Sequence, residues 1–399
     1  MDVFAAELDA LQLRLRRSVG PQDLRYIARA ERFGRACTVV GYATAWILFN
    51  PVSVLLIAFG KVMRWGIAHH VLHRAFDGIE GAPPRFRSSR FGKGWRRFVD
   101  WNDWMIPAGF QHEHNVHHVY TGGGEDPDLV EANMEFVRQS PKPKWCKYLM
   151  VLAIAATWRL TYYAPGTFIQ LRRRQKGLPP TRYEFTSLFF FRDLFLPLSR
   201  EGWAFWARCV IPYALTHFVA APALFYAFVG PSAAVTVLAT LIAAEVLANL
   251  YTFVLIASSH TGSDIHRFDA HSKGRPEFYR HQFLGTVNYS RGPDLRDFVQ
   301  LWINYQIEHH VFPNLPPSKY AECSRELEAI CVRHGVPYRS EPLRRRCWRM
   351  LDVVVGDADM RRDADLRRDP NVRPNTAAAG DLVREMVTAG HVVARPAVG

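Results

Sequence analysis

Seven histidines fall into three short clusters. His69 and His73 lie in HHVLH, His114, His117 and His118 in HNVHH, and His309 and His310 in QIEHH. On a helix, residues three and four apart share a face, so each of the first two clusters can present its ring nitrogens together. In the third, Gln306 shares a face with His310, and His309 lies beside it. Neutral imidazole suits iron, zinc and copper, and a single site needs only three or four ligands. Seven histidines exceed one mononuclear site, so two metal ions in a nitrogen-rich shell is the economical reading. An isolated histidine is ordinarily a packed or surface residue. Three helix-compatible clusters in one chain are not explained that way.

Other residues carry weaker signals. His260, in SSHTG at the end of an apolar run, is read as a ligand in preference to a helix cap. His70 either joins the first cluster or faces away from it. His112 is turned away from His114 by helical geometry and is assigned to the metal surroundings or the surface. His266, His271 and His281 fall in a charged loop and are expected to face solvent, whereas His217 lies in an apolar run as a core histidine. Ligand histidines usually donate their second nitrogen to a carboxylate or carbonyl, so Asp126 and Asp128 of EDPDL are candidate orienters, with a simple polar turn as the competing reading. Asn288 and Asn304 could hold a metal-bound water or merely cap helices.

These clusters must be positioned by strongly segregated segments. Hydrophobic residues make up 49% of the 399 residues and aromatics 13%, which excludes wholesale disorder. Residues 1–35 read as an amphipathic helix with a basic face. Residues 36–68 are almost wholly apolar around Asn50-Pro51, a good helix start, and predict a hairpin. The clearest spanning helices are 206–229 and 231–258, joined at Gly230-Pro231-Ser232, with Glu245 as the one charge inside the second. Residues 146–206 read as interfacial helices, with aromatics at 184–206, and residues 76–144 and 259–340 are polar. Residues 341–399 are Arg-rich and are expected to be a poorly ordered tail.

All three clusters must reach one membrane face to meet at one site. Two hairpins, 36–68 and 206–258, satisfy this with four spanning helices and both termini on the cytoplasmic side. The basic flanks at 1–35, 171–176 and 344–349 agree with that orientation. The net charge of +13 admits nucleic acid, an anionic membrane surface or an acidic partner. No zinc-finger spacing or RNP-like motif supports nucleic acid, and apolar runs beside Arg clusters favour the membrane. The six cysteines form no CxxC pair and are read as reduced thiols.

HxxxH, HNxHH and QxxHH, in this order and separated by apolar runs, resemble the three histidine boxes of membrane fatty acid desaturases. YTGGGEDPDLVE after the second box resembles that family's acidic turn. NYQIEHHVFPNLPPSKYAE resembles the third box of its front-end and acyl-lipid branch. The resemblance covers roughly residues 40–340. It implies an all-α integral membrane fold, with four spanning helices and a cytosolic helical cap holding two iron ions. It implies use of O2 and two electrons to remove two hydrogens from an acyl chain carried on CoA, carrier protein or phospholipid. The implied ligands are His69, His73, His114, His117, His118, His309 and His310, with His260 and Gln306 as additions. The first box departs from the usual His-Asp before its second histidine. No HPGG haem motif is present, so the resemblance implies a separate electron donor, a ferredoxin or a cytochrome b5-like protein. A hydroxylase on the same site, and a non-redox membrane zinc protein, are the competing functions.

Overall fold

The computed structural model describes residues 2–180 and 194–362. The aromatics expected at 184–206 therefore lie partly outside the described residues. The described chain is mostly helical, with almost no strand. Its strands are two parallel pairs of two residues, His266–Arg267 with Arg361–Arg362 and Asn288–Tyr289 with Ser340–Glu341.

Among the described residues, three helices are long and apolar enough to cross a membrane: Pro51–Leu72, Arg200–Phe228 and Pro231–His260. The first starts where the sequence predicts. The Asn50 side chain accepts from Ser53 N at 2.8 Å and Pro51 occupies the first turn. The last two form the expected hairpin about Gly230, whose φ of +116° suits glycine.

The partner of Pro51–Leu72 differs from expectation. One helix runs unbroken from Pro21 to Thr44, so residue 35 is not an element boundary. Arg25, Arg29, Arg32 and Arg35 precede the apolar run within it. The two helices pack closely: a Cβ on Gly60 would stand 2.8 Å from the Gly34 carbonyl oxygen. At the far end Val39, Val40, Ile47, Leu48, Phe49, Val52 and Leu55 face outward. The Arg200–Phe228 helix likewise exposes Leu215, Val219, Leu224 and Phe228. Outward apolar side chains on helices of this length suit lipid as the surrounding solvent.

Pro231–His260 is the central helix. Pro51–Leu72, Arg200–Phe228, Lys144–Trp158 and Leu343–Val355 all pack on it. Its single internal charge is compensated: Glu245 accepts from Lys61 Nζ at 2.7 Å, Tyr213 Oη at 2.5 Å and Trp104 Nε1 at 2.8 Å.

The segment expected as a loose tail begins with the ordered helix Leu343–Val355. Arg346 on it is fully buried, and its guanidinium donates to the carbonyls of Ser258 and Thr261 and to both Asp264 oxygens at 2.7 and 2.9 Å. It thereby satisfies carbonyls that the end of the long helix leaves open. Composition misled here because a buried arginine is rare without such partners. Residues 363–399 lie outside the described residues.

Candidate metal centre

The first box occupies the end of the Pro51–Leu72 helix, with His73 as its cap. The second box rides on Pro107–Tyr120, which starts with Pro at its first turn. The third sits on the short helix Gln306–Val311. Asn288 fixes that last helix: its Oδ1 accepts from Ile307 N at 2.8 Å, and its Nδ2 donates to Glu308 Oε2 at 2.9 Å. Asn288 therefore positions the box from behind.

Two groups of ring nitrogens converge. His69, His73, His114, His118 and His309 form the first, and His117, His260 and His310 the second; within each, the nitrogens lie within 4.8 Å of one another. His69 Nε2 is 2.6 Å from His114 Nε2, and His118 Nε2 is 3.0 Å from His309 Nε2. The groups adjoin, since the rings of His118 and His310 stack at 4.1 Å. Gln306 joins the second group, with Nε2 2.8 Å from His260 Nε2. Every histidine expected as a ligand is in one of the two groups.

The electrostatics favour neutral rings. Burial, and then the neighbouring histidines, holds His114, His118, His309 and His310 well below the usual imidazole value. Burial also opposes charge on His117, but the Asp126 carboxylate outweighs it and raises that value. Neutral imidazole is the form that ligates metal. A neutral ring has one N–H, so five nitrogens crowded together present more lone pairs than donors. His310 Nε2 is buried without a hydrogen-bond partner among the described residues. A donor set of this kind fits two metal cations.

The second nitrogens are held from outside. His117 Nδ1 donates to Asp126 Oδ1 at 2.7 Å. His310 Nδ1 donates to Gln282 Oε1 at 3.0 Å, and His309 Nδ1 lies 3.1 Å from the Tyr320 hydroxyl. His70 stands behind His309, its Nδ1 3.4 Å from the same hydroxyl. Asp128 accepts from the Tyr163 hydroxyl at 3.0 Å, and burial pushes its carboxyl up to about 6. The sequence does not single out Gln282 and Tyr320, because a lone Gln or Tyr carries no spacing signal; SKYAE, a few residues beyond the third box, holds the one hint of Tyr320.

Other expectations changed. Asn304 turns away and donates to Asp297 Oδ1 at 2.6 Å. His266, expected in solvent, is buried, and His281 stacks on Phe268 at 3.7 Å; His271 is exposed as expected. His112 is buried outside both groups.

The chain is similar to known proteins. A family model described as fatty acid desaturase matches residues 44–342. The chain is 26% identical over 352 residues to an NADPH-dependent stearoyl-CoA 9-desaturase of Mycobacterium tuberculosis, covering 84% of this chain and 74% of the relative. It is 29% identical over 97 residues to an acyl-lipid (8-3)-desaturase of Thraustochytrium sp, covering 23% of this chain and 20% of the relative. A Delta(8)-fatty-acid desaturase of Euglena gracilis is 39% identical over 59 residues, 15% of this chain and 14% of the relative.

Proposed function

The chain belongs to the fatty acid desaturase family, and on that premise we propose that this oxidoreductase is a di-iron acyl desaturase of the membrane, with its site facing the cytoplasm. The observation that carries this reading is the meeting of two adjoining groups of buried ring nitrogens from four separate helices. His69, His73, His114, His118 and His309 would hold one ion, and His117, His260 and His310 the other, with Gln306 beside them. Two bound iron ions would supply the activation of O2 needed to take two hydrogens from an unactivated acyl chain.

The chain's own residues orient, exclude water and hold protons. Asp126, Gln282 and Tyr320 fix which nitrogen each ring turns inward. Trp65 stacks on His69 and Phe110 on His114, so apolar rings wall the site from the membrane side. Such a wall keeps water from a reactive centre. The four-span arrangement follows if Pro21–Thr44 crosses with its apolar half. The acyl substrate is read as a thioester or lipid ester, by analogy with the stearoyl-CoA and acyl-lipid relatives. Electrons come from a separate ferredoxin or cytochrome b5-like donor.

The test is expression in a host lacking comparable activity, with mass spectrometry of total fatty acids and metal analysis of the purified protein. The expected result is a new double bond that vanishes in both His309→Ala and His310→Ala. A hydroxylated product moves the assignment to hydroxylase, and zinc without iron sinks it.

A further inference from the structure

Beside the metal centre, within the span region, lies a cavity of about 180 Å³. Trp65 and Trp101 form its wall on the metal side. Trp65 stacks on His69, and Trp101 packs on Phe110, which stacks on His114. One layer of rings therefore separates the cavity from the metal-binding histidines.

A wholly apolar surround would suit a hydrocarbon chain, but here charged and polar groups share the lining with Ile57, Trp65, Phe98 and Trp101. Lys61, Arg64, Asp103, Arg159, Thr216 and His217 all line it. Arg159 is 1% exposed, and its Nη2 donates to Asp103 Oδ2 at 2.5 Å. Its Nε and Nη1 are buried without a hydrogen-bond partner among the described residues. Lys61 is engaged by Glu245 and Tyr213, and Arg64 donates to the Val99 carbonyl at 2.8 Å. Three cations thus stand against the carboxylates of Asp103 and Glu245, which leaves a positive excess at membrane depth. Ionised groups there are costly and mark functional sites. The backbone also departs from regular helix at this place. Arg159 opens the π-helical turn Arg159–Tyr163, and Thr216 and His217 lie in another, Leu215–Ala220. Such turns concentrate at functional sites.

We infer that this cavity receives the oxygen-bearing end of a lipid chain, a hydroxyl or a carboxylate, with Arg159 as the residue that recognises it. The inference rests on the desaturase reading, and it narrows the substrate to chains oxygenated at the end remote from their ester. Size limits the occupant, because a cavity of about 150 Å³ holds a benzene-sized group. A chain end fits; a whole acyl chain or a nucleotide head does not. Chemistry sets the rest: the unused guanidinium donors need an acceptor, and the positive excess favours an anion or a strong dipole.

The test measures binding of three probes to the full-length, iron-loaded protein in lipid nanodiscs. They are methyl stearate, its terminal-hydroxyl analogue and its terminal-carboxylate analogue, which share one ester and differ only at the far end. At least one oxygenated probe should bind about tenfold tighter than methyl stearate, or ~1.4 kcal/mol. That gain should vanish in Arg159→Lys, which keeps the charge opposite Asp103 but loses the planar fork. It should shrink in His217→Phe, which keeps a ring on Tyr213, while methyl stearate binds both variants as it binds the wild type. Equal binding of all three probes to the wild type would overturn the inference, as would a gain that survives Arg159→Lys. Desaturation of all three chains, measured on the same preparations, separates the two proposals. Product without the binding gain sinks only this one, and a gain with no product from any of the three sinks only the catalytic reading.

Discussion

At the scale of single residues, the centre depends on what stands behind each imidazole. His117 leans on Asp126, His310 on Gln282, and His309 on Tyr320. Removing such a partner typically costs about 10–100-fold in metal affinity or activity. Asp126→Asn should fall in that range, because an amide can turn its NH2 toward Nδ1 and fix the wrong tautomer. Tyr320→Phe should sit at its lower end, since His309 keeps its packing and loses one hydrogen bond. Iron affinity from chelator competition checks both, and unchanged affinity in Asp126→Asn would remove it from the site. The sequence marked Asp126 because it follows the second box closely. Gln282 and Tyr320 went unseen because their roles arise only from contact.

At the scale of elements, the central helix is closed by a residue far along the chain. Arg346 takes the carbonyls of Ser258 and Thr261 and pairs with Asp264, just beyond His260. Breaking a buried pair by removing one partner costs about 3–5 kcal/mol. Arg346→Met should therefore lower the melting temperature, and it should loosen His260 with it. Burial pushes the Asp264 carboxyl up, but the Arg346 guanidinium outweighs burial and holds it below its ordinary 3.8. A depressed value stabilises the fold above the ordinary one and withdraws that stability as pH falls through the folded-state value. The gap in melting temperature between wild type and Asp264→Asn should thus be constant near neutral pH and close below about pH 4. A gap that persists in acid would show that the pair does not carry it.

At the scale of the whole molecule, the four-span proposal puts both hairpin tips on the face opposite the metal site. Cysteine at Asn50 or Ser232 should then react with an impermeant thiol reagent from that face, and cysteine at Glu125 or Asp269 from the other. These labels belong in a background where the native cysteines are replaced. If Asn50→Cys labels from the same side as Glu125→Cys, the Pro51–Leu72 helix does not cross.

The sequence by itself determined what short-range pattern encodes. Histidines three and four apart on one helix, Asn50 before Pro51, the break at Gly230 and the apolar lengths are all local rules of geometry and solvation. Local rules reach only a few residues. They placed an element boundary inside the helix Pro21–Thr44, because charge changes there while the backbone does not. They also read Leu343–Val355 as loose, since arginine looks solvated until a helix end needs it. Only the tertiary structure decided which ring nitrogens gather in one group, which side chains orient them, and that Arg159 is buried beside a cavity. Those facts depend on atoms tens to hundreds of residues apart being packed together, and burial then sets their protonation and their need for partners.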